Sequence, residues 1–288
     1  MSAARNGAIW SRAAERPDRA MVVAAHPDDI EFSAAGTVAH WAAAGSEITY
    51  VLATDGNAGS NDPKVSPETL AATRRDEQRA AAARVGVHAV EFLGFADGVL
   101  EPTLALRRAI VRAIRRHRPL AVICQDPSAY WLHAGYINHP DHIAAGAACM
   151  AAIYPSACTQ LAFPELLDEG LEPHQVEEVY LTMTRAADHW IDIGATLEAK
   201  LAAWRENRSQ IVVAGEVEAA IRCDAQQAAG AVRGIAYAEA FTYFRLGAPR
   251  ALGRVRVPYP GRAGDRRRNG GRGNGRATWG RHEHGHAG

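Results

Sequence analysis

The segment Ala20-Met21-Val22-Val23-Ala24-Ala25-His26-Pro27-Asp28-Asp29 decides the fold class of this 288-residue chain. Its first six residues form a short apolar run, which predicts a buried strand. The turn that follows carries one imidazole and two carboxylates. Because open α/β sheets bind ligands at the carboxyl ends of their strands, we expect His26, Asp28 and Asp29 to lie at a ligand-binding edge.

These residue types suit a metal ion with a base beside it. Neutral histidine and ionised aspartate are ligands of a cation such as zinc, and a spare carboxylate can take a proton from water that the metal binds. An alternative is that Asp28 or Asp29 caps the helix predicted to begin near Ile30, because aspartate is a favoured N-cap residue.

A second cluster, His139-Pro140-Asp141-His142, precedes an Ala-rich stretch that runs from Ile143 to Ala152. If that stretch is a helix, the two histidines are three positions apart and share one face of its first turn. The cluster can therefore supply a further metal ligand, and ligands far apart in the chain are typical of catalytic zinc. Alternatively, the histidines form a solvated helix start. Asp141 either orients a ligand histidine or favours the helix N-terminus electrostatically.

Helical and strand patterns alternate along the rest of the chain. Helices are predicted at 30–44, 67–85, 104–116, from the second cluster to about 154, and at 196–209, and strands at 47–53, 90–93, 121–124 and 179–184. This alternation is typical of βαβ units. We therefore predict a Rossmann-like α/β fold with a mostly parallel sheet and helices on both faces.

Composition predicts one catalytic domain followed by a tail. The chain is 48% hydrophobic and 22% charged, which suits a single core at this length. Residues 250–288 hold ten arginines, two acidic residues and many glycines. We predict a domain over 1–249 and a disordered basic tail over 250–288. Arginine-glycine segments can touch nucleic acid, but without a globular RNA-binding motif a nucleic-acid partner is not expected.

The sequence also predicts where in the cell the protein is located. It contains no apolar segment typical of a secretion signal and no run of about 18 apolar residues, so neither secretion nor a membrane partner is expected. The four cysteines have no Cys-x-x-Cys spacing and are interpreted as reduced thiols of a cytoplasmic protein. No oligomeric state is predicted.

The two clusters and an ordered series of further motifs resemble the zinc-dependent N-acetylglucosaminyl deacetylases, the PIG-L or LmbE-like family. The further motifs are Thr54-Asp55-Gly56, Arg74 through Glu77, Leu93 through Gly98, and Asp192-Ile193 through Ser209-Gln210. The resemblance runs from about Arg19 to about Tyr243. It implies hydrolysis of an amide, an N-deacetylation or N-deacylation, on a small amino sugar or glycoconjugate, with one Zn²⁺ per chain as cofactor.

The resemblance further implies a metal site and a base. His26, Asp29 and His142 would hold the zinc, which would lower the pKa of its bound water to roughly 7. Asp28 would be the general base. His139 would face the reacting carbonyl and, if protonated, could stabilise the oxyanion or protonate the departing amine.

Two residues match family positions that approach the sugar, Arg74 and Asp97. The alternative for Arg74 is an ion pair on the helix surface with Glu77 or Asp76, and the alternative for Asp97 is a turn before Gly98.

Two further features concern the walls of the pocket. Some family members carry a tyrosine two residues before the first histidine of the second motif. Here Ile137 occupies that position, and the one-residue shift leaves Tyr136 outside the predicted catalytic set. The polar loop from Gly56 to Val65 is predicted to lie at the same sheet edge and to form a wall or lid.

Two other functions stay open at this point. One is an amidase of the same mechanism that acts on a larger conjugate, such as a mycothiol S-conjugate or an acylated antibiotic. The other is a nucleotide-binding α/β protein without hydrolysis. It is disfavoured because His-Pro-Asp-Asp, and not Gly-x-Gly-x-x-Gly, follows the first predicted strand.

Overall fold

Eight strands of the described residues form one sheet. The structure, a computed structural model, describes residues 9–11, 16–133, 135–211, 214–232 and 234–247. The strands of the sheet are β1 (Ile9–Ser11), β2 (Arg19–Ala24), β3 (Glu47–Thr54), β4 (Ala89–Phe95), β5 (Ala121–Gln125), β8 (Glu178–Thr182), β9 (His189–Asp192) and β10 (Ala238–Arg245), whereas β6 (Trp131–His133) and β7 (Tyr136–Ile137) form a separate pair.

The strand order is β1-β9-β10-β8-β5-β2-β3-β4. All neighbours in the sheet are parallel except β10, which runs antiparallel to both β8 and β9. The predicted mostly parallel, Rossmann-like sheet is therefore confirmed. The chain passes from β2 to β3 and β4 on one side and later returns to the other side of β2 with β5. The order thus reverses beside β2, at the kind of switch point where open sheets bind ligands.

Helices cover both faces of the sheet, as predicted. They are α1 (Asp29–Ser33), α2 (Ala35–Ala43), α3 (Pro67–Arg84), α4 (Leu104–His117), α5 (Pro140–Ala151), α6 (Glu165–Asp168), α7 (Leu197–Trp204) and α8 (Ala214–Ala229), with a π-helical turn at 152–156 and a 3-10 turn at 208–210. On one face, side chains of α4 and α5 pack on Met21 and Val23. On the other face, α1, α2, α3 and α7 pack on Val22 and Leu52.

Local chemistry accounts for the helix starts. The Ser66 hydroxyl accepts the Thr69 N–H and Pro67 occupies the first turn of α3, a common beginning for a helix. Thr103 caps α4 in the same way by accepting the Leu106 N–H. These two helices have close to the predicted bounds.

The predicted helix at 30–44 is divided into α1 and α2. Ala34 between them has φ −144° and ψ −2°, which interrupts the helical hydrogen bonding. The N–H groups of Gly36 and Thr37 at the start of α2 are bound instead by the Glu239 carboxylate, on β10. The partner of this second helix start lies about 200 residues away, so local sequence does not reveal the break.

The proposed tail, 250–288, and the boundary at 249 lie outside the described residues and stay predictions. Within the described ranges, no helix combines the length and hydropathy that crossing a bilayer requires.

Candidate active site

The turn after β2 presents its two carboxylates in different ways. Asp28 has a left-handed backbone, φ 83°, and stands at the N-cap position of α1, yet its side chain makes no capping hydrogen bond. The Asp29 carboxylate accepts the His26 backbone N–H at 2.8 Å and the Gln125 amide at 3.0 Å. Neither hydrogen bond is a helix cap. The Asp28 side chain therefore does not cap α1, which was the alternative considered for it from the sequence.

The start of α5 brings in the second cluster. His139 is the N-cap residue of α5, and its Nδ1 accepts the Asp141 N–H at 3.2 Å. His142 is buried, and its Nδ1 lies 2.9 Å from the Asn138 amide oxygen. Because an amide oxygen only accepts, His142 Nδ1 carries a proton, and Nε2 is the ring nitrogen that faces the turn after β2.

Three buried side chains meet between β2 and α5. His142 Nε2 lies 3.0 Å from Asp29 Oδ1, and His26 Nδ1 lies 3.4 Å from Asp29 Oδ2. One donor atom from each of the three residues lies within 4.8 Å of the others. Two imidazoles and a carboxylate at this spacing form a donor set that fits a metal ion such as zinc.

Carboxylates surround the far side of the His26 ring. His26 Nε2 lies 3.0 Å from Asp97 and 3.3 Å from Asp141, so it carries a proton, and Nδ1 is the ring nitrogen that faces Asp29. Asp141 also accepts the N–H groups of Gly98 and Leu100. Asp141 therefore orients His26, which is the first of the two roles considered for it from the sequence.

The charges of the site favour a cation. Burial lowers the pKa of His26, but the Asp29 charge and hydrogen bonds to Asp141, Asp29 and Asp97 raise it to about 12. Burial raises the pKa of Asp29, whereas His142 and His26 hold it well below its usual value. The surplus of carboxylates thus draws positive charge to the place where the three donor atoms meet.

A second group of potential metal ligands is less suitable. His26, His139 and Asp141 also lie close enough together to share an ion. However, Asp141 already accepts two backbone N–H groups and faces the protonated nitrogen of His26. His139 Nδ1 is likewise engaged, by the Asp141 N–H. The first group is therefore the better metal site.

Arg74 lies beneath the loop and is buried. It donates to the carbonyl oxygens of Pro27 at 2.7 Å and Gly56 at 2.9 Å, and to the Asp28 carboxylate at 3.1 Å. A β-carbon at Gly56, where φ is +69°, would collide with the Arg74 guanidinium. Glycine is thus required at that position. The predicted alternative, a surface ion pair of Arg74, does not occur.

Asp97 is similarly engaged. One of its oxygens faces His26 and the other accepts the Ala58 N–H at 2.7 Å. Both Arg74 and Asp97 line the pocket, and both are hydrogen-bonded to groups of the protein.

Asp28 has an unusual titration. Burial raises the pKa of Asp28 to about 7, although the Arg74 guanidinium lowers it. A carboxyl group with a pKa near neutrality is suited to accept and return a proton.

His139 differs from the other two histidines. It is 43% exposed at the side chain, and burial together with the charge of His26 lowers its pKa below the usual value. Because its Nδ1 accepts a hydrogen bond, its proton is on Nε2. The structure therefore favours a neutral imidazole that donates one N–H, in place of the protonated ring considered from the sequence.

These side chains border one cavity of about 330 Å³. Its lining residues are His26, Asp28, Asp29, Ala58, Gly59, Arg74, Asp97, Gly98, Tyr136, His139 and His142. The predicted loop wall is present in Ala58 and Gly59. Tyr136, whose shifted spacing places it outside the predicted catalytic set, also lines the cavity. Sequence spacing did not reveal this because the short β6-β7 pair determines where Tyr136 lies.

Three buried polar residues of the site were missed from the sequence. Gln125 at the end of β5 binds Asp29, Asn138 binds His142, and Gln78 on α3 accepts the Asp28 N–H at 2.9 Å. Asn138 adjoins the second motif and could have been found from that position. Gln78 and Gln125 lie in ordinary helix and strand patterns that carry no such signal.

The known proteins to which this chain is similar include deacetylases of acetamido sugars. The model of the PIG-L family, described as GlcNAc-PI de-N-acetylase, matches residues 21–153. A diacetylchitobiose deacetylase of Thermococcus kodakarensis is 33% identical over 192 residues, 67% of this chain and 70% of that protein. A 1D-myo-inositol 2-acetamido-2-deoxy-alpha-D-glucopyranoside deacetylase of Mycobacteroides abscessus is 28% identical over 238 residues, 69% of this chain and 83% of that protein.

A solved structure of another deacetylase is also similar to this chain. The N,N'-diacetylchitobiose deacetylase from Pyrococcus horikoshii, complexed with its inhibitor MPG, is similar to this chain with a TM-score of 0.74 and 27% sequence identity. The similarity covers 81% of this chain and 86% of that structure.

Proposed function

The chain belongs to the PIG-L family of de-N-acetylases. From this membership we propose a substrate class and a mechanism for its hydrolysis of an N-acyl amide. The substrate we propose is a small amino sugar or glycoconjugate with an N-acetylglucosamine-type acetamide. The observation that carries the proposal is the His26, Asp29 and His142 group beside the Asp28 carboxylate in one cavity.

The metal that we propose is one Zn²⁺ per chain, held by His26, Asp29 and His142. The two histidines and one carboxylate are a ligand set of catalytic zinc sites. Asp141 and Asp97 at the far side of His26, and Asn138 at the far side of His142, fix the ring nitrogens that face the ion. When bound, zinc would polarise the acetyl carbonyl and make a water molecule more acidic.

Asp28 is the general base in this proposal. It accepts one proton from the attacking water as the water oxygen bonds to the acetyl carbon. The same proton then passes to the amine nitrogen as the C–N bond breaks, which gives acetic acid and the free amine, and these exchange a proton to become acetate and the ammonium form. Arg74 holds the Asp28 carboxylate toward the cavity. A pKa of about 7 lets Asp28 carry out both transfers near neutral pH.

His139 supplies an N–H donor to the developing oxyanion. Its Nδ1 is fixed by the Asp141 N–H, so Nε2–H is the end available to a ligand. Tyr136 lines the same cavity, and we include its hydroxyl among the groups that can contact the substrate.

For Arg74 and Asp97 we retain contact with the sugar as a prediction and add a second role. Arg74 positions Asp28, and Asp97 positions His26. Asp97→Asn separates the two roles for that residue: loss of zinc affinity indicates support of His26, and a raised KM alone indicates contact with the sugar.

The size of the cavity favours a small substrate. About 330 Å³ lies at the small end of ligand pockets, and the relatives above are named for small acetamido sugars. A larger conjugate would have to extend beyond the cavity. A cytoplasmic location stays a prediction from the sequence.

The test is a panel of N-acetyl compounds with the zinc-loaded chain, read out as freed amine. N-acetylglucosamine, N,N'-diacetylchitobiose and an N-acetylglucosaminyl inositol represent small substrates, and an acylated glycopeptide represents larger ones. We expect amine from at least one of the small compounds, and His142→Ala should lose both stoichiometric zinc and amine release. Turnover of the glycopeptide alone would contradict the proposed substrate class. Full zinc occupancy in His142→Ala would contradict the proposed ligands.

A further inference from the structure

We propose that Gln78 is a positioning residue, which holds the backbone of the base Asp28, and that Glu31 orients the Gln78 amide for this purpose. The inference rests on the proposed function, because it takes Asp28 as the general base.

Gln78 connects α3 to the turn after β2. It is fully buried, and it lies one helical turn after Arg74 on the same face of α3. Its Oε1 accepts the Asp28 backbone N–H at 2.9 Å, and its Nε2 donates to the Glu31 carboxyl group at 3.0 Å. Glu31 is also fully buried.

Glu31 determines which end of the amide faces the base. A glutamine side chain has one accepting and one donating end, and reversal would place the NH₂ group against the Asp28 N–H. Because the Glu31 oxygen accepts a hydrogen bond, it holds the NH₂ group of Gln78 on its own side. The accepting oxygen is thereby directed to Asp28.

The backbone conformation of Asp28 is one that the surrounding structure must hold. Asp28 is one of four non-glycine residues with positive φ in the described part of the chain, and such residues persist where the surroundings hold them. Arg74 binds its carboxylate and Gln78 binds its N–H. The base is therefore held at both ends from one face of α3.

The proposed metal ligands are held by other groups. Gln125 and the His26 N–H bind Asp29, and Asn138 binds His142. Removal of the Gln78 amide should therefore misplace the base without removing the metal. That separation distinguishes a positioning role from general structural support.

The first experiment compares Gln78→Leu with the wild-type full chain, zinc-loaded, on N,N'-diacetylchitobiose. We expect kcat to fall about tenfold or more, since small misplacements of a catalytic group are costly, with KM and zinc affinity within about threefold. The matched control is Arg115→Leu. Arg115 is also buried and hydrogen-bonded, but its partners are carbonyl oxygens at 156–162, so this variant should lose stability and retain kcat. A Gln78→Leu enzyme with unchanged kcat would overturn the proposal.

The second experiment exchanges the two side chains. Gln78→Glu places two carboxyl groups against each other and should lower kcat. In the double variant Gln78→Glu with Glu31→Gln, residue 31 becomes the donor while residue 78 still accepts the Asp28 N–H. We expect the double variant to recover kcat at least about fivefold over Gln78→Glu, a coupling that independent sites do not show. Strictly additive losses would overturn the role of Glu31. If Gln78→Leu does not fold, the Gln78→Glu and double variants still test the positioning role of Gln78.

A third measurement is independent of hydrolysis. Hydrogen exchange of the Asp28 amide should be faster in Gln78→Leu than in the wild type and in Arg115→Leu, because the N–H loses its acceptor. If the wild type frees no amine from any substrate, the proposed function fails while this readout still tests the positioning. Unchanged exchange at Asp28 would overturn the positioning itself.

Discussion

At the scale of single residues, the site depends on which atom of each side chain is already bound. Asn138 occupies one nitrogen of His142, and Asp97 and Asp141 occupy one nitrogen of His26. The remaining nitrogens converge with Asp29. Arg74 donates a hydrogen bond to the Asp28 carboxylate. The two adjacent aspartates thus have different surroundings, and we expect them to differ in function.

Substitution of the two aspartates separates base from ligand. Asp28→Asn should keep zinc and lose roughly 10²- to 10⁴-fold in kcat, since the amide cannot take a proton. Asp29→Asn should weaken zinc binding as well, because it removes a charged donor between two histidines. Zinc content by mass spectrometry and amine release measure the two effects. If Asp28→Asn lost zinc and Asp29→Asn retained it, the assignment would be reversed.

His139→Ala should lower kcat by roughly 10²-fold or more with zinc retained, because an oxyanion donor acts mainly in the transition state. His139→Gln, which keeps an N–H donor, is the matched control and should retain part of the activity. Since the pKa of His139 is lowered, we expect the loss over the whole neutral range. An unchanged kcat in His139→Ala would leave His139 only its N-cap role in α5.

The motif residues of the site could be predicted because histidine and aspartate at a strand end and at a helix start already imply a metal. The residues that hydrogen-bond to these motif residues could not be predicted. Gln78 and Gln125 act through single hydrogen bonds to residues 50 and 96 positions away, and glutamine in a helix or strand carries no local sign of such a contact. Tyr136 was excluded for its spacing, yet it reaches the cavity because the backbone before α5 pairs as a short hairpin.

At the scale of elements, β10 and α7 support the helices that follow the first motif. Glu239 on β10 binds the start of α2 and pairs with Lys200 on α7, and Lys200 also donates to the Phe32 carbonyl oxygen in α1. Both charged residues are buried. The division of the predicted helix at Ala34 follows from this contact, which only tertiary structure provides.

Glu239→Gln should lower the free energy of unfolding by about 3–5 kcal/mol, because it leaves the buried Lys200 charge without its partner. Urea denaturation monitored by circular dichroism measures the change. The double variant Lys200→Met with Glu239→Gln should lose less than the sum of the single variants, since no unpaired charge remains. Additive losses would show that the pair itself contributes nothing.

At the scale of the whole molecule, two buried histidines that do not line the cavity make stability depend on pH. Burial lowers the pKa of His189 and of His174. His189 lies between Tyr180 and Tyr243, and neither of its ring nitrogens has a hydrogen-bond partner in the described part of the chain. Below pH of about 6.5 the unfolded chain takes up protons that these folded-state rings do not.

We therefore expect the contribution of these two histidines to stability to be full above that pH and to decrease as the pH falls toward their lowered folded-state pKa values. His189→Phe should reduce the steepness of this decrease in a series of melting temperatures from pH 7.5 to about 5. His88→Gln, at an exposed position, is the control. An equally steep decrease in His189→Phe would contradict the assignment.

Deletion of residues 262–288 tests the predicted tail. Because the sequence from about Arg262 onward lacks apolar periodicity, its removal should leave the melting temperature and amine release near the wild-type values. A loss of more than about tenfold in activity would assign the segment a role in the enzyme.

The parallel core of the sheet could be predicted because apolar strands alternate with amphipathic helices from β2 to β5. The far side could not be predicted in the same way. The pattern after β8 does not show that β10 inserts antiparallel between β8 and β9, because such pairing depends on residues 46 to 67 positions apart.

The insertion of β10 also constrains how the protein can be made. During synthesis, the residues of the first motif emerge from the ribosome long before Glu239. Until β10 is made, α2 lacks its cap and β8 has β5 on one side but no neighbour on the other. The nascent chain therefore holds all the proposed zinc ligands while one edge of its sheet is open to mispairing. A gene truncated after residue 153, the end of the segment that matches the family, would encode every ligand but not a stable enzyme.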